Sequence, residues 1–104
     1  LNINPNCAIL LTTNNDFYYY RGGVNPFSSQ VYSSMKTLAI HYGGSVWNLF
    51  KVMGGLKSVN LWRKDELANR DRIHFTRAGY IIVADLLFDA IIKDFAKFLQ
   101  ENKT

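Results

Sequence analysis

Two short apolar segments on either side of one helical segment constrain this chain more than any other feature of its sequence. The first is CAILLTT at residues 7–13, and the second is SVWNL at residues 45–49. Segments that are apolar throughout are typical of strands buried on both faces of a parallel sheet. Because a helical segment joins them, we expect the two strands to lie parallel, with a right-handed crossover.

The connecting helix is predicted to start near Ser28 and to end at Gly43-Gly44. A serine at the start can cap the first free N–H groups, and we expect Ser28 or Ser29 to do so. Paired glycines favour the left-handed conformation that ends a helix. The apolar side chains that recur at helical spacing, and that we expect to face the core, are Val31, Met35, Leu38, Ala39 and Tyr42.

A second predicted helix, from Thr76 to about Gln100, is the longest element. Its polar residues recur at every fourth position, and nearly all the others are apolar. This pattern predicts a mostly buried helix with one exposed stripe, and with Tyr80 at the start of the buried face. Residues 50–70 are predicted to be a loop with one or two short helical turns. The polar stripe consists of Asp85, Asp89, Lys93 and Lys97.

The order strand, helix, strand, helix predicts an α/β fold. Two strands do not form a stable sheet by themselves, and strands apolar on both faces need neighbouring strands and a layer on each side. A chain of 104 residues is at most one domain. We therefore expect residues 1–104 to be the C-terminal portion of a larger domain. Its leading strands are then on a separate polypeptide, are lost, or are replaced by a self-associated copy. Because the chain begins with Leu1, we expect it to be processed or truncated.

Composition excludes several classes of protein. Hydrophobic residues make up 48% of the chain, which excludes wholesale disorder. No apolar run approaches the length of a membrane span, and residues 1–12 lack the basic start and the cleavage site of a signal peptide. Cys7 is the only cysteine, which excludes an internal disulfide. We expect Cys7 to be a small buried hydrophobic residue.

The charged residues allow two interpretations. The net charge is +4, and five basic residues fall between positions 63 and 77, interleaved with Asp65, Glu66 and Asp71. A solvated surface of mixed charge is the favoured interpretation, which makes nucleic acid an unexpected partner. Nucleic-acid binding is the alternative. The five basic residues are Arg63, Lys64, Arg70, Arg72 and Arg77.

Asp71 and His74 are the candidate catalytic residues. They lie three apart in the polar segment after the second strand, and loops at the carboxyl ends of strands are where α/β sheets bind ligands. A histidine can take and return a proton near neutral pH. A carboxylate three residues earlier can accept its Nδ1 proton and leave Nε2 as the base. We expect Thr76 to cap the following helix, and Gly79 to pack closely against other backbone.

Other polar and aromatic residues have weaker signals. His41 ends the first predicted helix, where a structural role is expected. No second histidine or carboxylate has metal-ligand spacing with His74, so no metal site is predicted. Tyr18, Tyr20 and Trp62 are candidate substrate-binding residues, which either line a groove or pack over the sheet.

The segment NRDRIHFTRAGY (residues 69–80) resembles the C-terminal block of the SGNH or GDSL family of ester hydrolases. AILLTTNNDFYYYRG resembles the penultimate strand and loop of bacterial members, and VWNLFKVMGG resembles their last strand and turn. The resemblance implies the last two parallel strands and helices of a flavodoxin-like, three-layer α/β/α domain. It implies a triad in which Asp71 is the acid and His74 the base, acting on carboxylic esters of carbohydrate or lipid without a cofactor. A secreted or periplasmic location is compatible with it.

The chain departs from this family in one large respect. The family's nucleophile lies in a Gly-Asp-Ser motif after the first strand, which this sequence lacks, and none of its six serines stands at a strand-to-helix elbow. Asn15-Asp16 resembles an oxyanion-hole block but lacks its glycine, so Asn15 is assigned no role. Asn14 stands where relatives have proline. We therefore expect this chain alone to be inactive.

Two alternatives to a hydrolase part stay open. One is a small, basic, non-catalytic α/β module that binds nucleic acid or a protein through residues 62–77. It predicts salt-dependent binding that weakens when Arg70, Arg72 and Arg77 are neutralised. The other is a degenerate hydrolase half kept for assembly, in which His74→Ala changes nothing.

Overall fold

The computed structural model describes residues 6–102. In this range the elements follow the predicted order, with the loop before the last helix resolved into two short helices. The elements are β1 (Leu10–Thr12), α1 (Ser28–Tyr42), β2 (Ser45–Trp47), α2 (Leu49–Met53), α3 (Val59–Lys64) and α4 (Arg77–Glu101). Pro5, which we expected to bound the first strand, lies outside the described residues.

The two strands form a parallel sheet, as predicted, with Leu10 opposite Ser45 and Thr12 opposite Trp47. Both strands are shorter than predicted and are not buried on both faces. Leu10 is 44% exposed. Open clefts lie on either side of the sheet, one of about 320 Å³ toward α1 and one of about 340 Å³ toward α4. Short strands with incompletely covered faces are what a two-stranded sheet allows.

Helix α1 has the predicted bounds but a different N-cap residue. Its N-cap is Phe27, whose N–H donates to Asn25 Oδ1 at 3.1 Å. The predicted serine cap is therefore wrong. The Ser28 hydroxyl is instead buried and accepts from the Asn14 amide at 2.8 Å. Gly43 ends the helix in the left-handed conformation, as predicted, with φ 71°.

The apolar face predicted for α1 is only partly covered. Ala39 is buried, but Leu38 is 52% exposed and Tyr42 is 66% exposed. Their burial was predicted from spacing, and the described residues place no layer against them. His41 lies on the same helix end, with its ring edge-on to Tyr42 at 4.6 Å between centroids.

Helix α4 starts as predicted, because Thr76 Oγ1 accepts the Gly79 N–H at 3.2 Å. The prediction that most of it is buried is wrong for this chain. Gly79 is its only buried residue, and even Phe88 is 67% exposed. Tyr80, expected to begin the buried face, is 52% exposed. A helix of 25 residues is about 37 Å long and extends beyond what two three-residue strands can cover.

The tightest packing lies beside the loops that follow the strands. Its buried side chains belong to α2, α3 and the segment that leads into α4. The hydrophobic core therefore supports the loop that carries Asp71 and His74. The members of this core are Leu49, Met53, Val59, Ala68 and Phe75, against which Tyr18, Trp47, Trp62 and Val83 pack.

Cys7 is exposed, so its expected burial is wrong; it precedes β1, where no layer in the described residues covers it. Within residues 6–102, no helix has both the length and the apolar composition to cross a membrane.

Candidate active site

The segment between Asn69 and His74 is a closed loop on top of the core. The Asn69 N–H donates to the His74 carbonyl at 2.8 Å, and the Arg72 N–H donates to the Asn69 carbonyl at 3.0 Å. At the base of the loop, Ala68 and Phe75 form an antiparallel bridge and are both buried. The loop is therefore anchored at both ends in the packed part of the molecule.

Asp71 organises the inside of this loop. Its Oδ1 accepts the backbone N–H groups of Ile73 at 2.9 Å and of His74 at 3.1 Å. Its Oδ2 lies 2.8 Å from Nδ1 of His74. A turn of this kind needs a chain reversal between the two residues, and Arg72 supplies it in the left-handed conformation, with φ 57°.

The geometry leaves the other side of the imidazole available. The His74 side chain is 65% exposed, and among residues 6–102 its ring has one side-chain partner, the Asp71 carboxylate. With Nδ1 held by Asp71, Nε2 is the nitrogen free to accept a proton from a third group. The expected contact between the two side chains is present, and their catalytic role stays a prediction.

These hydrogen bonds lower the pKa of Asp71 to about 2, chiefly through the His74 side chain and then through the Ile73 N–H. A lowered pKa means that the stabilisation is present above the ordinary value of 3.8 and is lost as the pH falls through about 2. Since the pair is exposed to solvent, it contributes no more than about 1 kcal/mol to the free energy of unfolding.

We expect His74→Ala to raise the pKa of Asp71 toward 3.8, because its largest hydrogen bond is lost. At pH 3 the ionised fraction of Asp71 should fall from about nine-tenths toward, but not as far as, the one-seventh of an unperturbed carboxyl, because the N–H groups of residues 73 and 74 still donate to it. Carboxyl ¹³C chemical shifts measure this fraction directly. His41→Ala, the matched control, should leave it unchanged. An unchanged Asp71 titration in His74→Ala would contradict the contact.

The start of α4 fixes this loop against the rest of the molecule. The Thr76 hydroxyl donates to the Glu66 carbonyl at 2.7 Å, and the Thr76 N–H donates to the Leu67 carbonyl at 3.0 Å. A Cβ added to Gly79 would overlap the Leu67 carbonyl and lie 3.1 Å from the Cβ of Phe75. The predicted close approach at Gly79 is therefore confirmed.

Of the three candidate substrate-binding residues, the structure brings Tyr18 to the loop. Its ring lies 3.9 Å from the Arg72 guanidinium carbon. Tyr20 is 76% exposed and contacts its neighbour Arg21 instead. Trp62 is engaged in packing, because its indole N–H donates to the Met53 carbonyl at 3.1 Å and its ring lies against Phe75. Substrate contact stays a prediction for all three.

Sequence reasoning missed two residues that follow β1. The Asn15 amide donates to the Ile73 carbonyl at 3.0 Å and so ties the first loop to the second. Asp16 is fully buried, and its Oδ2 accepts the Val59 N–H at 3.0 Å. Burial raises the pKa of Asp16. The signal for both was their position at the carboxyl end of a parallel strand, where polar side chains commonly serve a site.

Four of the five basic residues lie in two different environments. Arg72 contacts Tyr18 and lies 3.5 Å from Asn60 Oδ1. Arg63, Lys64 and Arg70 line an open groove of about 480 Å³, which also contains Glu66. Both interpretations of the charged residues therefore stay predictions. No cluster of three or more potential metal ligands occurs in residues 6–102.

Comparison with known proteins gives one informative similarity. No family model matches the sequence, and no curated protein is significantly similar to it. A solved structure of a peptidoglycan O-acetylesterase superposes with a TM-score of 0.75 over 86% of this chain, at 22% sequence identity. The chain spans only 27% of that protein. At this identity the similarity concerns the fold: the chain has the α/β fold found in part of an esterase.

Proposed function

We propose that this chain is the C-terminal part of an SGNH-type serine ester hydrolase, in which Asp71 and His74 are the acid and base of the catalytic triad. The observation that carries the proposal is the 2.8 Å contact between Asp71 Oδ2 and His74 Nδ1 in a loop that leaves the rest of the imidazole exposed. The resemblance of residues 69–80 to the family's last block and the similarity of fold to an esterase support it.

In this mechanism the nucleophile is a serine on the remainder of the domain. As its Oγ attacks the ester carbonyl, the proton passes to His74 Nε2, and Asp71 stabilises the imidazolium through Nδ1. The tetrahedral intermediate collapses by breaking the bond to the alcohol, which leaves with the proton from His74. Water then attacks the acyl-enzyme with His74 again acting as base, which releases the acid and regenerates the serine. Besides the serine nucleophile, the chemistry needs only proton transfer and an oxyanion hole.

The proposed domain is flavodoxin-like, and residues 1–104 supply its last two strands and helices. Support comes from the surfaces that the described residues leave uncovered. The edge of β1 that faces away from β2 has no strand partner there, and apolar side chains of α1 and α4 are exposed beside the sheet. Strands of the remaining part of the domain, on the same chain or on a separate one, would pair with this edge and cover these faces.

We propose an O-acyl ester of a carbohydrate as the substrate class. The structural neighbour is a peptidoglycan O-acetylesterase by name, and it has a similar fold in this part of its chain. The exposure of the His74 side chain also suits this class, because a bulky carbohydrate can approach a solvent-exposed loop.

The test compares the chain alone with the completed domain, obtained by expressing the upstream coding sequence together with it. We expect the chain alone to hydrolyse p-nitrophenyl acetate no faster than its own His74→Ala variant, because no nucleophile is positioned beside His74. The completed domain should turn the ester over. Turnover by the chain alone that disappears in His74→Ala would contradict the missing nucleophile, and an inactive completed domain would contradict the hydrolase proposal.

A further inference from the structure

We propose that Tyr18 is a positioning residue for the Asp71–His74 pair and that it acts through Arg72. The inference rests on the proposed function for the meaning of that pair, and on contacts between the two loops for its mechanism. We call the set of Tyr18, Asn60 and Arg72 the arginine clamp.

The backbone conformation of Arg72 sets the geometry of the Asp71–His74 pair. Its φ of 57° lies in the left-handed region, which residues with side chains seldom adopt. This conformation turns the chain so that Oδ1 of Asp71 can accept the N–H groups of Ile73 and His74. If Arg72 relaxed to a right-handed or extended conformation, the carboxylate and the imidazole would separate. The geometry of the pair therefore depends on Arg72.

Contacts with Tyr18 and Asn60 hold Arg72 in place. The Tyr18 N–H donates to the Arg72 carbonyl at 3.0 Å. The guanidinium lies over the Tyr18 ring, 3.9 Å from its centroid, at the distance of a cation–π interaction. Asn60 joins the two, since its amide donates to the Tyr18 hydroxyl at 2.8 Å and its Oδ1 lies 3.5 Å from Nη1 of Arg72. The three side chains therefore form a closed cycle of contacts. Tyr18 and Asn60 are 42 residues apart in the sequence, and Asn60 and Arg72 are 12 residues apart.

The contacts of Tyr18 within the clamp occupy the groups with which it could bind substrate. Its ring face is covered by Arg72, and its hydroxyl is engaged by Asn60. A tyrosine that bound substrate would present one of these groups to solvent. The contacts of Tyr18 therefore favour positioning over the substrate contact that the sequence suggested.

The test uses the 104-residue chain and needs no enzymatic activity. In Tyr18→Leu, which keeps an apolar side chain next to the core, we expect the ionised fraction of Asp71 at pH 3 to fall from about nine-tenths toward one-seventh. Asn60→Ala, at the rim of the clamp, should shift it in the same direction by a smaller amount, and it serves if Tyr18→Leu does not fold. The matched control is Tyr20→Ala, whose tyrosine contacts Arg21 outside the clamp.

The decisive variant is the double substitution Tyr18→Leu/Arg72→Gly. Glycine adopts the left-handed conformation without help, so it should restore the ionised fraction that Tyr18→Leu loses. Restoration supports positioning through Arg72, since a loss of core packing would not be rescued by glycine. The proposal would be overturned if the ionised fraction of Asp71 were unchanged in both Tyr18→Leu and Asn60→Ala. It would also be overturned if Tyr20→Ala shifted this fraction equally, or if the double substitution failed to restore it.

In the completed domain the same residue should affect kcat rather than KM. We expect Tyr18→Leu to lower kcat by about 10- to 100-fold with an unchanged KM, because misplacing the base slows the chemical step. A raised KM with an unchanged kcat would mean that Tyr18 binds substrate. If the completed domain has no esterase activity, the proposed function fails, but the titration of Asp71 still tests the clamp.

Discussion

His74→Ala should lower kcat/KM of the completed domain for p-nitrophenyl acetate by about 10³- to 10⁵-fold, with most of the loss in kcat. Under the proposed function, the variant removes the group that accepts the serine proton. The oxyanion hole and the binding of the substrate would supply what remains. Stopped-flow or steady-state release of p-nitrophenolate measures the change over this range.

His41→Ala is the matched control, since the chain contains two histidines and His41 lies at the end of α1, away from the loop. It should leave kcat/KM unchanged. Asp71→Asn provides a second arm: it keeps the shape of the side chain but favours the wrong tautomer of His74, and a loss of about 10⁴-fold is expected. Equal activity of His74→Ala and the unaltered domain would favour the degenerate hydrolase half.

The bounds of the two long helices were largely predictable because their signals are local. Gly43 ends α1 through its own backbone conformation, and Thr76 begins α4 through a hydrogen bond to a residue three positions on. Such signals act within one turn of helix, whatever the rest of the molecule does. Asp89 and Lys93, four residues apart in the polar stripe, pair at 2.8 Å for the same local reason.

Burial was poorly predictable for a physical reason. Apolar spacing tells which face of an element is suited to a core, but exposure depends on whether another layer is present. Leu38 and Phe88 have the expected spacing and are 52% and 67% exposed. Under the proposed function, these faces are covered by the remainder of the domain, so their pattern reflects a larger structure than the described residues contain.

At the candidate site, contacts between residues close in sequence were predictable, and contacts between distant residues were not. Asp71 and His74 are three residues apart, so a sequence motif alone can predict their contact. Asn15 and Ile73 are 58 residues apart, and their contact depends on how the loop after β1 meets the loop before α4. The helix-start motif also predicted Gly79 as a close approach, but it could not identify Leu67 as the partner.

Gly79→Ala tests how strongly the site loop depends on that approach. In most helices alanine is more stable than glycine by about 1 kcal/mol. Here the new Cβ would overlap the Leu67 carbonyl, which also accepts the Thr76 N–H. Because the overlapping group at Leu67 is backbone and cannot rotate away, α4 must move away from the segment before the loop. We expect the free energy of unfolding to fall by about 2 kcal/mol, a large fraction of the stability of a small domain.

Thermal unfolding followed by circular dichroism measures this loss, which corresponds to a drop in Tm of about 10 °C. Gly23→Ala is the matched control, since a Cβ there meets nothing within 4 Å, and it should leave Tm unchanged or slightly higher. The pKa of Asp71 should also rise toward 3.8 in Gly79→Ala. Moving α4 moves Phe75 and Thr76, which directly follow the loop that carries Asp71. A stabilised Gly79→Ala variant with an unaltered Asp71 titration would show that α4 and the loop that carries Asp71 and His74 are held together by something other than this contact.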